Sequence, residues 1–241
     1  MLLTTGYLIK DKYNTRKREE YTIELIPKAN LNEVIDLQLE VYEGIDNKEI
    51  LYLDSYDEMY EDLKNGAKVI GVRNNRGKLI SYRYIGFPGK DSRNLGYDIN
   101  LPKDELDSVV HLETTVVKPI YRGNNLQSLT LEIATELVKE EGYKHLLCTV
   151  SPYNFFSLYN VMKNGLKIKK LKKKYARTEN EEGMWRFILH RDLKNPYSNP
   201  VDLVVSKWAN LEKQKELIED GYIGFEIFKD TRLLNYMKFE N

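Results

Sequence analysis

The sequence predicts an α/β protein built on a mixed β-sheet with helices packed around it. Short runs rich in β-branched and aromatic residues alternate with amphipathic helical segments along most of the chain. The segment "HLLCTV" at residues 145–150 is almost continuously apolar, which is typical of a central strand buried on both faces. Of the 241 residues, 41% are hydrophobic, so the chain can bury a core of the required size.

The first half of the chain is predicted to contain a strand, two helices and a hairpin. Residues 1–20 are polar and weakly patterned, and we expect an edge strand or a loose arm there. Residues 21–26, "YTIELI", alternate as a strand does. A helix is expected after Asn30, because this N-cap is followed three residues later by a capping-box acid. "DSYDEMYEDLKNG" predicts a short helix that ends at Gly66, and "NNRG" at residues 74–77 has the turn chemistry of a hairpin.

The second half adds a strand, a helix, a strand, a helix and a further hairpin. "SVVHLETTVV" predicts a strand over residues 108–117. The next apolar residues have helical spacing from about Asn125, and Gly142 ends this helix. After the apolar strand, "NFFSLYNVMKNG" predicts a short helix ended by Gly165. "LKIKKLKKKY" and "MWRFILHRDL" predict two hairpin strands, and the lysines are expected on an edge strand, where they hinder aggregation.

This order divides the chain into three predicted regions. Residues 1–20 form an N-terminal arm, residues 21–194 a single α/β domain, and residues 195–241 a C-terminal extension. In the extension, "VDLVVSKWANLEKQKELIED" predicts a helix, and "YIGFEIF" predicts a possible last strand. The apolar stripe around Trp208 on this helix implies a partner surface, which is either the chain's own domain or a second subunit of a homodimer.

Composition and charge exclude several classes of function. Lys and Arg number 37, as do Asp and Glu, and this zero net charge argues against a nucleic-acid partner. No apolar run approaches the ~18 residues of a membrane span, and the N-terminus lacks the order of a signal peptide, so no membrane association is expected. The single cysteine, Cys148, excludes an internal disulfide and fits the reducing cytoplasm. No metal is expected, because the three histidines lack ligand spacing.

A basic, glycine-containing turn stands at the start of the helix predicted from Asn125. In "VVKPIYRGNNLQ", a β-type segment passes through Arg122 and Gly123 into that helix. The first amides of a helix lack internal partners, and the helix dipole adds about half a positive charge, so such a turn can hold a phosphate. Gly123 permits a tight turn, and Asn124 and Asn125 tolerate left-handed backbone angles. The alternative is an ordinary solvated loop in which Arg122 pairs with a nearby carboxylate.

The segment around this turn matches a known cofactor signature in part. The preceding strand ends in Val-Lys-Pro at residues 117–119, and Arg122 follows three residues later. This segment resembles the signature of GNAT-type acyl-CoA N-acyltransferases, in which a strand ending in Val-x-Pro precedes R/Q-x-x-G-x-G/A and a helix. Asn125 stands where that signature usually has Gly, and Gln127 where it has Gly or Ala.

A second segment also resembles this family. Its signature is N-x-x-A/S-x-x-x-Y-x-x-x-G-F, and Asn154, Ser157 and Gly165 match it at the same spacing. Val161 replaces the usual Tyr, and Leu166 replaces the Phe. The predicted order of strands and helices is similar to that of the family over about residues 21–193.

The resemblance implies a GNAT-like fold, in which the mixed central sheet is splayed, and acetyl-CoA or another acyl-CoA as co-substrate. It also implies that the turn binds the cofactor's pyrophosphate, that the preceding strand pairs with the pantetheine arm, and that Asn154 and Ser157 contact the cofactor. From its position alone, Asn154 is also expected to be a helix N-cap, and the two roles can coexist. The implied cofactor-binding residues are Val116, Val117, Arg122, Gly123, Asn124, Asn125, Leu126, Gln127, Asn154 and Ser157.

Glu113 is the leading candidate for the catalytic base, because it is a carboxylate on the strand that leads into the turn. The alternative role for Glu113 is an exposed or salt-bridged strand residue, and His111 is the second choice of base.

The resemblance implies a Tyr as general acid at the position of Val161, and the nearest tyrosine is Tyr159. Two residues along a helix turn Tyr159 about 200° away, so a packing role is its alternative. Cys148 could form an acyl-enzyme, and a buried inert thiol is the alternative.

The acceptor is expected to be an amine. The resemblance places it beside the two N-terminal helices, whose acidic residues suit a cationic amine of a small molecule or peptide, such as a polyamine, an aminoglycoside or a lysine side chain. The alternative is that these acidic residues only form the solvated faces of the two helices.

The first interpretation of the whole sequence is therefore a cytoplasmic N-acetyltransferase. The second is a module that binds acyl-CoA with weak or no catalysis, and a third, nucleic-acid binding through the lysine run, is opposed by the zero net charge.

Overall fold

The computed structural model describes residues 1–12, 15–176, 178 and 180–240. As the sequence predicts, it is a mixed α/β fold with a splayed sheet flanked by helices. The chain forms two compact units: Met1–Phe87 with Leu112–Leu137, and Pro88–His111 with Val138–Asn241. These limits fall inside the predicted 21–194 domain, so the predicted division at residues 20 and 194 remains a prediction.

Eleven strands and five α-helices lie in the described residues. The strands are β1 (Leu2–Lys12), β2 (Thr15–Leu25), β3 (Lys68–Asn74), β4 (Leu79–Gly86), β5 (Val109–Val117), β6 (His145–Val150), β7 (Lys167–Lys174), β8 (Met184–Asp192), β9 (Pro200–Lys207), β10 (Ile223–Ile227) and β11 (Leu233–Phe239). The helices are α1 (Leu31–Glu43), α2 (Tyr56–Lys64), α3 (Leu126–Glu140), α4 (Phe155–Lys163) and α5 (Leu211–Glu219). None of the helices in these residues is both long and apolar enough to cross a membrane.

The first unit is built on four antiparallel strands in the order β1, β2, β3, β4. Residues 1–20, expected as an edge strand or a loose arm, contain β1 at the sheet edge and the first residues of β2. Leu2 pairs with Glu24 at one end of this hairpin. Leu8 of β1 is buried, which ties the hairpin to the unit.

Helix α1 packs its apolar face against the sheet of the first unit. Its buried apolar residues recur every three or four positions, as an amphipathic helix requires: Leu31, Val34, Leu37 and Val41. They share one core with Val69, Tyr82, Tyr84 and Val116. Burying each such side chain stabilises the fold by about 1.5–3 kcal/mol, so α1 is held firmly on the sheet. The polar Gln38 lies on this same buried face.

The second unit contains the parallel pair of the sheet. Residues 109–111 of β5 pair with residues 145–147 of β6. On its other side β6 continues to pair with β8 as far as Val150 and Phe187. A parallel pairing that stops before β6 ends is the splayed arrangement predicted for this fold. The remaining strands follow in the order β8, β7, β10, β11, β9.

The lysine run lies on β7, and the expectation of an edge strand is wrong at its start, where Ile168 pairs with Gly224 of β10. β7 lies between β8 and β10, because the C-terminal extension adds further strands to the sheet. Lys172 and Lys174 each form an ion pair with Asp98, at 2.5 and 2.7 Å. The Nζ of Lys167 donates to the carbonyl of Phe225 at 2.7 Å. These lysines are therefore engaged within their own unit, which argues further against nucleic-acid binding.

The prediction of one long helix at the start of the C-terminal extension is wrong for its first half. That half forms the strand β9, and only the second half forms a helix, α5. The segment alternates with a period of two, and Val201, Leu203 and Val205 share one half-exposed face. Pairing with β11 decides in favour of a strand, as the β-branched residues allow. The ring of Trp208 packs edge-on against Phe155 at 5.2 Å, so this residue of the predicted stripe contacts its own chain.

Candidate functional site

The turn between β5 and α3 contains two residues in the left-handed region. Gly123 has a φ of +81° and Asn125 a φ of +58°. Gly adopts this geometry without strain, and Asn does so more readily than most residues. Helix α3 begins at Leu126, and the N–H of Leu129 donates to the Asn125 carbonyl at 3.0 Å. Since Arg122, Gly123 and Asn125 are exposed, the turn presents the start of α3 to solvent.

Arg122 does not support the alternative of an ordinary loop held by an ion pair. Its Nε lies 3.4 Å from the Val117 carbonyl, to which it donates. In the part of the chain that the structure describes, Arg122 forms no salt bridge with a carboxylate. Its guanidinium therefore remains at the mouth of the turn, where it can contact an anion.

Arg83 is a second arginine that contacts the start of α3, and sequence reasoning missed it. It is 1% exposed on β4. Its Nη2 donates to the Gln127 carbonyl at 2.9 Å, and its Nε donates to the Thr130 hydroxyl at 3.3 Å. A buried guanidinium thus fixes the first turn of α3 and adds positive charge beneath it. The apolar neighbours of Arg83 in "LISYRYIG" were the only signal of its burial.

Asn124 ties the turn to the N-terminal hairpin. Its Nδ2 donates to the Ile9 carbonyl at 2.6 Å, and its Oδ1 accepts from the Ile9 N–H at 2.6 Å. The same Nδ2 donates to the Tyr121 carbonyl at 3.0 Å. The Asn124 side chain therefore caps the edge of β1, and only its backbone is available to a ligand in this geometry.

The end of β5 is anchored to β4 within the first unit. The Val116 carbonyl accepts the Ser81 hydroxyl at 2.7 Å, and the Lys118 N–H donates to the Ile80 carbonyl at 3.0 Å. Val116 and Leu126 are each 2% exposed, so they contribute to the core as well as to the predicted site. The predicted contacts of Val116 and Val117 with a pantetheine arm stay predictions.

Asn154 and Ser157 lie in the second unit, at the start of α4. The Oδ1 of Asn154 accepts the Ser157 N–H at 3.1 Å, which is the N-cap that the position of Asn154 predicts. The cap uses the oxygen of the amide, and its Nδ2 is a donor outside the cap. Both residues are half-buried. Their predicted cofactor contacts stay predictions.

The candidate acid Tyr159 is a packed aromatic residue of α4. Its half-buried ring stacks on Phe155, with ring centroids 6.3 Å apart and an angle of 19° between the planes. Val161, at the position of the family's Tyr, is 4% exposed and belongs to the core. Cys148 is buried on β6. This geometry favours the packing alternative for Tyr159 and the inert-thiol alternative for Cys148.

Glu113 is half-buried on β5, in the first unit. The second-choice base, His111, is 5% exposed, and its Nε2 accepts the Leu95 N–H at 3.0 Å. That bond accounts for His111 as a structural residue. Glu113 thus remains the candidate base. Its negative charge helps to raise the pKa of a second carboxylate, Asp54.

Asp54 lies just before α2 and is held by a clamp of buried side chains. Gln38, 1% exposed, donates from its Nε2 to the Asp54 carbonyl at 2.9 Å and accepts the Asp54 N–H at 3.3 Å. The Tyr82 hydroxyl donates to the same Gln38 Oε1 at 3.0 Å. The Asp54 Oδ2 is buried and, among the described residues, has no hydrogen-bond partner. The buried hydroxyl of Thr115 also has none in that part of the chain.

The electrostatics of Asp54 differ from those of an ordinary surface carboxylate. Burial raises its pKa from 3.8 to about 7, hydrogen bonding to Thr114 opposes the rise, and the charges of Glu113 and Glu58 add to it. Burial also raises the pKa of Tyr84, whose hydroxyl donates to Asp62 at 2.5 Å. A carboxyl group that titrates near neutral pH can accept a proton from a bound group and release it again.

The sequence grouped Asp54 with an acidic rim, and the structure divides that rim. Glu33 pairs with Arg73 at 2.6 Å, and Glu40 pairs with Lys118 at 2.5 Å, so these two acids anchor α1 to the sheet and to the end of β5. Asp54 stands apart because its carboxylate oxygen Oδ2 is buried. Its one sequence signal was its place before "SYDE", where the cap itself is Ser55 and Asp54 has no capping role.

The site residues are therefore divided between the two units. The first unit holds Asp54, Glu113, Val116, Val117 and the turn from Arg122 to Gln127, whereas the second holds Asn154, Ser157 and Tyr159.

Solved structures similar to this chain include acetyltransferases. An N-acetyltransferase from Staphylococcus aureus has a TM-score of 0.54 and 15% identity, and covers 72% of this chain and 99% of its own. A GNAT-family acetyltransferase from Streptococcus pneumoniae has a TM-score of 0.54 and 18% identity, with the same two shares. An acetyltransferase from Salmonella typhimurium, solved with its cofactor acetyl-CoA, has a TM-score of 0.53 and 15% identity over 76% of this chain and 99% of its own. The chain has the GNAT fold.

At these identities the likeness establishes the GNAT fold alone. No family model and no curated protein matches the sequence. The similarity takes in almost the whole of these neighbours, whereas about a quarter of this chain lies outside the shared GNAT fold.

Proposed function

We propose that this protein is an acyl-CoA-dependent N-acyltransferase, which transfers an acetyl group from acetyl-CoA to a primary amine of a small molecule or peptide. The observation that carries the proposal is the exposed left-handed turn at Gly123 and Asn125, which opens α3 within a GNAT fold. Acetyltransferases of this fold from Salmonella typhimurium and Sinorhizobium meliloti were solved with acetyl-CoA.

The donor set of the turn fits a pyrophosphate. A Cβ at Gly123 would have no atom within 4 Å, so the space in front of its backbone is open. The N-terminus of α3, with Arg122 at its mouth and Arg83 beneath its first turn, favours negative charge. We assign the diphosphate of the cofactor to the turn, the pantetheine arm to the backbone of Val116 and Val117, and further cofactor contacts to Asn154 and Ser157.

When bound, acetyl-CoA supplies an electrophilic thioester carbonyl. The acceptor ammonium must lose a proton before its nitrogen can attack that carbon directly, and Glu113 is the proposed base. Tyr159 packs on Phe155, so we propose that the leaving sulfur takes its proton through solvent. Comparing Tyr159→Phe with wild type tests this, because a hydroxyl acting as the general acid would contribute about 10²–10⁴-fold to turnover.

Calorimetric titration with acetyl-CoA, CoA and dephospho-CoA tests the binding step. We expect micromolar affinity for acetyl-CoA. Gly123→Ala should weaken it about tenfold, because Ala avoids a left-handed strain of about 1–2 kcal/mol by moving this backbone away from the conformation that meets the phosphates. Gly142→Ala is the matched control, since Gly142 also has a positive φ (+88°) and open space around its Cβ position, at the other end of α3. Equal effects of the two variants, or no binding by wild type, would contradict the proposal.

A second candidate function keeps the binding and discards the catalysis. The buried Val161, which replaces the family's Tyr, favours a regulatory module that binds acyl-CoA. Micromolar acetyl-CoA binding without thiol release in the presence of any amine of a screening panel would select this function over the enzyme.

A further inference from the structure

Asp54 of the first unit has a buried carboxylate oxygen that the packing of the core does not explain. Its Oδ2 is the one carboxylate oxygen of the described residues that is buried without a hydrogen-bond partner. An unpaired buried carboxylate oxygen is costly, and a neutral side chain of similar size would avoid that cost. Such a group calls for a partner that arrives from solution.

The surroundings of Asp54 fix its position. Gln38 bonds both its N–H and its carbonyl, and the buried Tyr82 in turn orients Gln38. The backbone of Asp54 is thereby held between α1 and β4, independently of the side-chain carboxylate. A functional carboxylate needs this kind of support, since a loosely held group binds and reacts poorly.

The charges that face Asp54 select for a cation. Its ionisable neighbours on the elements packed against it are Glu58 of α2, Tyr82 and Tyr84 of β4, and Glu113 of β5. Within the described residues, no basic group contributes to the electrostatics of Asp54. A positively charged ligand would relieve the repulsion between the carboxylates, whereas an anion would increase it.

We infer that Asp54 binds the ammonium group of the acyl acceptor and takes its first proton, so that the acceptor is an amine that is cationic in solution. This inference rests on the proposed acyltransferase function and deepens it. Asp54 would then be a catalytic residue beside Glu113, and Gln38 a positioning residue.

The proposed step balances as follows. The acceptor nitrogen arrives with three protons and gives one to Asp54, which later releases it to solvent. The nitrogen then forms a bond to the thioester carbon, and Glu113 takes the second proton as the C–S bond breaks. That proton passes through solvent to the departing sulfur. The products are an amide and a free thiol, and one proton is released overall.

The test compares Asp54→Asn with Asp57→Asn, which removes an exposed carboxylate from the first turn of α2. Acetyl-CoA affinity is measured by calorimetry, and thiol release is measured with spermidine, kanamycin, Nα-acetyl-lysine and aniline, the last being uncharged at neutral pH. We expect Asp54→Asn to lower kcat/KM for the cationic amines at least tenfold and to leave acetyl-CoA affinity within twofold. Asp57→Asn should change neither.

The pH profile separates a catalytic role from a structural one. Wild-type kcat/KM should rise with pH up to about 7, as Asp54 ionises, and Asp54→Asn should lose this limb of the profile. Turnover of aniline alone, or an unchanged kcat/KM and pH limb in Asp54→Asn, would overturn the inference while leaving the acyltransferase proposal in place. Absence of acetyl-CoA binding or of thiol release in wild type would overturn both.

Discussion

Replacing Asp54 with Asn should stabilise the protein by an amount that grows with pH. The pKa of this carboxyl is about 7 in the folded chain and 3.8 as its ordinary value. Between these values the unfolded chain loses the proton that the folded chain keeps, so the wild-type free energy of unfolding falls as pH rises. The two pKa values differ by roughly 3, which corresponds to about 4 kcal/mol lost by pH 8. Asn has no proton to lose, so the variant escapes this loss.

Urea unfolding at pH 5 and at pH 8 measures the effect. Asn also changes hydrogen bonding by an amount that does not depend on pH, and taking the difference between the two pH values removes it. The stability gained by Asp54→Asn should be about 3 kcal/mol larger at pH 8 than at pH 5. The exposed Asp57→Asn should give a small and equal change at both. A gain from Asp54→Asn that is equal at the two pH values within about 0.5 kcal/mol would refute the assignment of Asp54 as a buried, readily protonated carboxyl.

Three further predictions concern single side chains. Glu113→Gln should lower turnover at least tenfold with unchanged acetyl-CoA affinity by calorimetry, and unchanged turnover would remove Glu113 from the mechanism. Asn124→Ala removes both bonds to Ile9 and should lower the hydrogen-exchange protection of the Ile9 amide, with a loss of about 1–3 kcal/mol in global stability; equal protection in the two proteins would show that the turn does not hold β1. Gly224→Ala places a Cβ 2.8 Å from Ile168, where β10 pairs with β7. Thermal unfolding should show a loss of about 1–3 kcal/mol from this overpacking, and an unchanged Tm would indicate that β10 can move away without cost.

Features that depend on near neighbours in the chain could be predicted from the sequence. The N-cap of Asn154 and the left-handed turn at Gly123 each follow from a few consecutive residues. The capping box predicted at Asn30 is wrong, because Asn30 precedes α1 without a side-chain cap bond. The strand β9 could not be predicted in this way, because its conformation depends on β11, whose Tyr236 pairs with Val204. A local pattern that fits both a strand and a helix is decided by such distant pairing.

The burial of Asp54 was beyond sequence reasoning for the same physical cause. It depends on Gln38, 16 residues away, and on Thr114, 60 positions along the chain. In the sequence Asp54 opens the acidic segment "DSYDEMYED", whose other acids on α2 are exposed, except for the half-buried Asp62, which accepts the Tyr84 hydroxyl. Only the folded sheet distinguishes Asp54, whose Oδ2 is buried without a hydrogen-bond partner among the described residues, from the other acids of this segment.

The two departures from the cofactor signature affect the backbone of the turn less than the sequence suggests. Asn125, which replaces Gly, has a φ of +58°, a conformation that Asn tolerates. Gln127, which replaces Gly or Ala, already lies in the first turn of α3, where Arg83 holds its carbonyl at 2.9 Å. A phosphate cradle is formed by main-chain N–H groups and by the helix terminus, and neither replacement removes these. Both replacements therefore leave in place the backbone features on which the proposed phosphate binding depends.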